Sequence, residues 1–347
     1  MNQFFRKFKI FTIFAFVLSV FVFTGCHYIE DDENSGTSGI YVAGHVYNGG
    51  NSVAALWKNG EVQSLTDGTN NASAQSVYVF GKDIYVAGYE DDGNNCIAKV
   101  WKNGTAQNLT TDGMAEASSI FVSGNDVYVA GYVDNGNNCI AKVWKNGIAQ
   151  NFTTDGMAEA YSIFVSGNDV YVAGYEITGN GSVAKVWKNG AGQTLTDGTG
   201  ALPDRSHAVV AYSVYVADND VYVAGTEYHD SFGTAKLWKN GVVQNLTNND
   251  DIINTSSVFV SGNDVFVTGT AWTSDGSYIL AKLWKNGTAQ NLTNNGQAES
   301  VYVSGDDVYV AGGESNGNGY LTATLWINGI AQRLTTNRSY ANSVFVK

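Results

Sequence analysis

The residues of this chain best placed to do chemistry are two histidines set among acids and one tryptophan out of step with seven others. His207 and His229, with Asp204, Glu227 and Asp230, supply the nitrogen and oxygen donors that a transition metal takes. Both histidines fall in connections between strands, His207 in the long one over residues 197–211. No regular element there fixes ligand geometry, so exposed, unliganded histidines are the competing account. His45 lies in a different repeat. Asp91-Asp92-Gly93-Asn94-Asn95 and Asp134-Asn135-Gly136-Asn137-Asn138 are oxygen-rich, and they make calcium the one cofactor candidate. They lack the terminal Glu of an EF-hand loop, and tight-turn chemistry accounts equally well for their Gly and Asn. Tyr47, Tyr89, Tyr132, Tyr175, Tyr228, Trp272 and Tyr278 are expected in loops, where aromatic rings could stack on a sugar or anchor a protein partner. Catalytic signatures are missing: there is no Gly-x-Ser-x-Gly elbow, phosphate loop or His-Glu-x-x-His, and no catalytic residue is nominated.

The elements that must hold these residues recur. Val-Tyr-Val-Ala-Gly stands at 127–131, 170–174, 221–225 and 308–312, with close variants at 40–44, 84–88 and 265–269. A second line, Trp-Lys-Asn-Gly, carries Trp57, Trp101, Trp144, Trp187, Trp238 and Trp284, and Trp326 begins Trp-Ile-Asn-Gly. Successive tryptophans are 44, 43, 43, 51, 46 and 42 residues apart, the spacing of four-stranded propeller blades. Val, Tyr and Phe runs separated by Asn-Gly and Gly-Asn-Asp turns predict short strands, in the third unit over 120–122, 127–130, 140–144 and 149–152. The fold expected is all-β, a single seven-bladed β-propeller over residues 40–347.

The ends specify how such a ring closes. No copy of the innermost strand precedes Ile40, and the chain finishes with such a strand, 343–346, that has nothing after it. The C-terminal strand should therefore complete the N-terminal blade and leave no edge open. Ala54, Ala98, Ala141, Ala184, Ala235, Ala281 and Ala323 each stand three residues before a tryptophan. Small side chains there let blades approach, while the tryptophans fill the wider outer wedge. Tight turns gather on one rim and variable loops on the other. The loop rim holds Glu90, Asp91, Asp92, Asp134, Glu176, Glu227, Asp250 and Asp251, with Arg205 and Arg338 read as their only basic neighbours. A formal charge of -13 excludes nucleic acid as a partner, because phosphate binding needs clustered Lys and Arg. Cys96 and Cys139 occupy equivalent places in adjacent blades and are expected as separate thiols.

The first residues are of another kind. Arg6, Lys7 and Lys9 precede an apolar run over 10–23, the n- and h-regions of an export signal and short for a membrane span. The run ends in Phe23-Thr24-Gly25-Cys26, which resembles the lipobox of bacterial lipoproteins, with Phe23 where Leu is usual. The resemblance implies that 1–25 is a signal peptide, cleaved after Gly25, and that Cys26 carries lipid. Residues 26–39 then form an acidic, flexible tether. With His27 rather than Asp after Cys26, the resemblance favours the outer membrane, facing the periplasm or the cell surface.

The repeats themselves resemble, in outline, the SBBP-type propeller repeats of exported bacterial proteins, whose strand also reads like Tyr-Val-Ala-Gly. They lack the marks of kelch and WD repeats. The resemblance implies a scaffold, binding or cell-surface role; the loop aromatics and acids point to a monomeric propeller that uses its variable-loop face for a glycan, a cation or an envelope protein. A carbohydrate-active enzyme, a glycosidase or lyase with loop-borne carboxylates, is the alternative. A structural part of an envelope complex ranks third. Metabolic labelling with a fatty-acid analogue tests the anchor: the native chain should be labelled, and Cys26→Ala should stay unlabelled and uncleaved. Native protein that is unlabelled and free in the medium rules the lipobox reading out.

Overall fold

Alternating β-branched and aromatic residues, punctuated by Asn-Gly, fold here as their chemistry requires, into short antiparallel strands joined by tight turns. The computed structural model describes residues 38–153, 156–178, 181–196, 207–229, 232–247, 252–273 and 278–347, with His207 and Ile252 described by their backbone alone. The leader, Cys26 and most of the tether lie outside the described residues, as do Asp204 and Asp230. Among the described residues are 28 strands and no helix.

One unit stands for the rest. Strands β8 (Met114–Ser123), β9 (Asp126–Asp134), β10 (Cys139–Lys145) and β11 (Ile148–Asn151) pair antiparallel in that order. The strands are longer than the pattern predicts, above all β8, which starts six residues before Ile120. The reason is a bulge between Ala117 and Ser119 that breaks the period-two alternation without ending the strand. The Asn-Gly turn after β10 has Asn146 at φ 51° and Gly147 at φ 82°, the left-handed pair that a two-residue hairpin needs.

The terminal strands share a sheet. β28 (Ser339–Val346) pairs antiparallel with β1 (Ile40–Tyr47), which continues to β2 (Ser52–Lys58) and β3 (Glu61–Ser64). The inner strands β4 (Ala72–Phe80), β8, β12 (Ala158–Ser166), β16 (His207–Ala217), β20 (Ile252–Ser261), β24 (Gly296–Ser304) and β28 touch in succession, and β28 touches β4. Their aromatic residues form a girdle: Tyr78, Phe121, Phe164, Tyr215, Phe259, Tyr302 and Phe345 follow one another at centroid distances of 4.7–5.0 Å, and Phe345 stands 4.9 Å from Tyr78.

The core is divided among the interfaces between units. Trp101 packs with Val77 and Val86 of its own unit and with Tyr41, Ala43, Ala54 and Leu56 of the unit before it. Trp57 does the same against Tyr309, Ala311, Ala323 and Leu325. All seven repeat tryptophans are at most 2% exposed, and the alanine three residues before each is fully buried. A Cβ on the glycine that ends each Val-Tyr-Val-Ala-Gly would lie 1.9–2.3 Å from an inner-strand carbonyl, so no larger residue fits. Tight-turn charges neutralise one another: Asp83 accepts from Asn103 at 2.8 Å and pairs with Lys102 at 2.7 Å, while Lys102 lies over the Tyr85 ring. The same cluster recurs at Asp126, Asp169 and Asp220.

Deleting residues 343–347 removes Val344 from the Trp57 core and Phe345 from the girdle. The expected cost is at least about 5 kcal/mol, comparable with the whole stability of a marginal domain. Urea unfolding checks this, and an unchanged midpoint and slope would contradict it.

Candidate functional site

Each inner strand carries the same irregularity. Pairing with the next strand skips Gln75, Ser118, Tyr161, Tyr212, Ser256, Glu299 and Asn342, one per unit. A bulged residue leaves the ladder and its side chain is re-aimed. All seven line one cavity of about 340 Å³, on the side of the variable loops. Glu116, Asn254 and Gln297, each two positions before a bulged residue, join the wall, and Trp272 completes it. The cavity is a polar cup of hydroxyls, amides and carboxyls with one indole, and none of its lining residues is basic.

Hydrogen bonds fix the wall from behind. Tyr161 donates to Glu159 at 2.6 Å, and Tyr175 donates to the other oxygen of Glu159 at 3.0 Å. Tyr212 and Tyr228 share a bond of 2.8 Å, and Tyr228 donates to Asn254 at 2.7 Å. The Tyr340 hydroxyl lies 2.5 Å from both Gln297 Oε1 and Glu299 Oε1. Burial raises the Glu299 pKa, against the hydrogen bonds it accepts from Tyr340 and Ser256. Burial pushes Glu116 up to about 7, opposed by the Tyr132 bond and helped by the Glu159 charge. Ser118 Oγ is buried without a partner.

The aromatic residues expected on loops divide. Trp272 is the last residue of β21 (Asp264–Trp272), half-buried, and it lines the cup. Tyr278 is 54% exposed and stands outside the lining. Tyr89, Tyr132, Tyr175 and Tyr228 are not displayed on loops. They sit half-buried in second strands, and three of them hold cup residues or their neighbours in place: Tyr132 donates to Glu116 at 3.4 Å, beside the bonds of Tyr175 and Tyr228. Burial lifts the Tyr89 hydroxyl to about 12. They continue the strand because its alternation runs past the glycine, which the short strand estimate had cut off.

His207 and His229 are also strand residues. His207 opens β16, His229 closes β17 (Asp220–His229), and the two are direct register partners. The long connection ends before them because β16 begins four residues upstream of Ala211. Nε2 of His229 lies 3.3 Å from Glu227, which also holds Lys236 at 2.5 Å. Among the described residues no three His, Cys, Asp or Glu side chains converge on a metal position. In the calcium-like turns Asp92 Oδ1 accepts the amides of Asn94 and Asn95, and Asn135 does the same for Asn137 and Asn138, so these oxygens cap their own turns. Cys96 and Cys139 are free thiols.

Arg205 lies outside the described residues, and the loop-side acids find lysine partners that the linear reading missed. Lys99 pairs with Glu90, Lys185 with Glu176 at 2.7 Å, and Lys236 with Glu227. Each lysine is on a third strand, diagonal to its acid, a separation that long side chains span.

No protein-family model matches the sequence, and no curated protein matches it. Among solved structures, acylaminoacyl peptidase from Pyrococcus horikoshii is similar at 12% identity and a TM-score of 0.51, over 88% of this chain and 52% of its own. Hydrazine synthase from Kuenenia stuttgartiensis gives 0.48 at 12% identity, over 89% and 46%, and TolB from Acinetobacter baumannii 0.44 at 12%, over 71% and 63%. The chain thus spans about half the length of the first structures it matches. At this identity the likeness concerns the fold alone: all-β, in several sheets, propeller-like.

Glu116 gives the cup a pH signature. Its folded pKa lies above the unfolded value, so its contribution to stability is fully present below the ordinary glutamate pKa and is lost as pH rises through about 7. His45, lowered by burial and by Arg338, acts in the opposite sense, so the mutant difference is the clean observable. Relative to the native chain, Glu116→Gln should gain on the order of 2 kcal/mol from about pH 5 to about pH 8 in urea unfolding. A difference independent of pH would exclude a buried, protonated Glu116.

Proposed function

We propose that this chain is a closed seven-bladed β-propeller, exported and lipid-anchored at Cys26 to the bacterial outer membrane, that binds a glycan in the cup at the loop-side end of its axis. Support for the ring comes from the pairing of β28 with β1 and from the girdle that returns from Phe345 to Tyr78. Support for the anchor is the leader sequence with its Gly25-Cys26 junction. The observation that carries the glycan reading is the composition of the cup. Hydroxyl, amide and carboxyl groups, donors and acceptors together, surround a cavity of about 340 Å³, with Trp272 as the aromatic wall. Sugars present that mixture of hydroxyl edges and C–H faces, and a prearranged polar wall meets them with little ordering cost.

A second reading has one specific observation behind it. Glu116 and Glu299 both line the cup with raised pKa values, and a carboxyl kept protonated near neutrality can act as a general acid in glycoside cleavage. A glycan screen of the full chain in detergent decides between the readings. The binding reading expects a saturable ligand recovered intact, with affinity at least about tenfold weaker in Trp272→Ala, roughly the loss of one stacking contact. Recovery of shortened or unsaturated sugar favours the enzyme. Binding unchanged in Trp272→Ala removes that residue from the site.

A further inference from the structure

Beside the cup lies a second hollow of about 560 Å³, and Gln297 lines both. Its chemistry differs. His45, Tyr320, Leu321, Arg338 and Tyr340 form its wall, so the carboxyl-bearing cup adjoins a pocket with a guanidinium at its edge. Arg338 is exposed, and its guanidinium carbon sits 4.8 Å over the Tyr47 ring. Among the described residues it has no carboxylate partner. Arg333 by contrast reaches Glu314 at 3.7 Å, and the third-strand lysines close on their glutamates. Stacking on Tyr47 orients the planar fork without consuming its donors. His45 is half-buried, its Nδ1 3.2 Å from Ser73 Oγ and its ring stacked on Tyr340 at 6.2 Å. Held this way, its other nitrogen is left for a ligand.

In a chain of net charge -13 the general field repels anions, so a preoriented, unpaired guanidinium at a pocket edge is a local exception that a specific anion can use. We infer that this hollow takes the carboxylate of an acidic sugar, so that the ligand spanning Gln297 is a uronate-containing glycan rather than a neutral one. The inference rests on the glycan reading of the cup. Arg338 pairs with the carboxylate through its two-pronged fork, Tyr320 and His45 offer donors to neighbouring hydroxyls, and Leu321 supports the ring face.

Calorimetric titration of the full chain in detergent tests it, with galacturonate, mannuronate and guluronate oligomers and the same oligomers with their carboxyls reduced to alcohols. At least one uronate oligomer should bind about tenfold more tightly than its reduced form, an advantage that shrinks as salt rises. Arg338→Ala should abolish that advantage, while Arg338→Lys keeps part of it. Equal binding of both forms, or an advantage that survives Arg338→Ala, overturns the acidic-sugar assignment but leaves the glycan site standing. Binding of neither form, with unfolding midpoints confirming folded protein, overturns the glycan site and this inference together.

Discussion

Apart from single parallel bridges at the starts of β8 and β16, the innermost strand of every unit is an edge, and the amides along its free side have no sheet partner. Seven serines supply one. Ser76 Oγ accepts the Ile120 amide at 3.2 Å, Ser119 that of Ile163, Ser162 that of Val214, and Ser213 that of Val258. Ser257 and Ser300 accept from Val301 and Val344, and Ser343 accepts from Val77. Each bond crosses from one unit to the next and the series ends where it began. An unmet amide there would cost about 1–3 kcal/mol, so the series both satisfies the edges and fixes the spacing of the inner strands. Everything further out follows from that spacing: buried alanines where sheets are close, and tryptophans where the wedge opens.

The same local sequence that places the serine also places the site. In the shared frame Ala-x-Ser, with Thr255 in place of Ala in one unit, the bulged residue immediately precedes the serine, so the serine's grip on the next unit determines where the bulged side chain points. The frame is nearly constant, and the bulged position is not: Gln, Ser, Tyr, Tyr, Ser, Glu and Asn occupy it. Side chains that differ so widely on one rigid frame mark a surface whose composition the fold does not dictate. Packing explains the alanines and the serines; it does not explain Glu299 in a buried place where desolvation raises its pKa.

Much of the architecture was legible in the sequence, because tryptophan spacing, Asn-Gly turns and the unpaired terminal strand are each tied to a single structural role. The site was less legible for a physical reason. A bulge shifts the alternation by one residue, so Glu116, Tyr161 and Glu299 read as loop residues before a short strand that begins only at the Val or Ile following the serine. The signal was present as a variable position inside a nearly constant Ala-x-Ser frame, but period-two reasoning discards it. Histidines and tyrosines near strand ends were assigned to loops by the same truncation. The lysine partners of Glu90, Glu176 and Glu227 escaped because a diagonal cross-strand contact depends on register, which linear spacing does not supply.

The two rims solve opposite electrostatic problems. On the tight-turn side, Asp, Lys and Asn form closed clusters in which the lysine holds the aspartate pKa down and the amide fixes the turn, so those charges are met locally. On the loop side, acids in the second strands are likewise closed off by third-strand lysines. At the cup and its border stand carboxyls whose pKa burial raises, beside Arg338 resting on an aromatic ring. Acids shifted toward neutrality and a guanidinium without a carboxylate partner lie side by side there, which concentrates polar specificity at the cup. Glu299 sits at a bulged position and Arg338 outside the strands, so both can change without disturbing the ladders, which is the condition for one scaffold to serve different ligands.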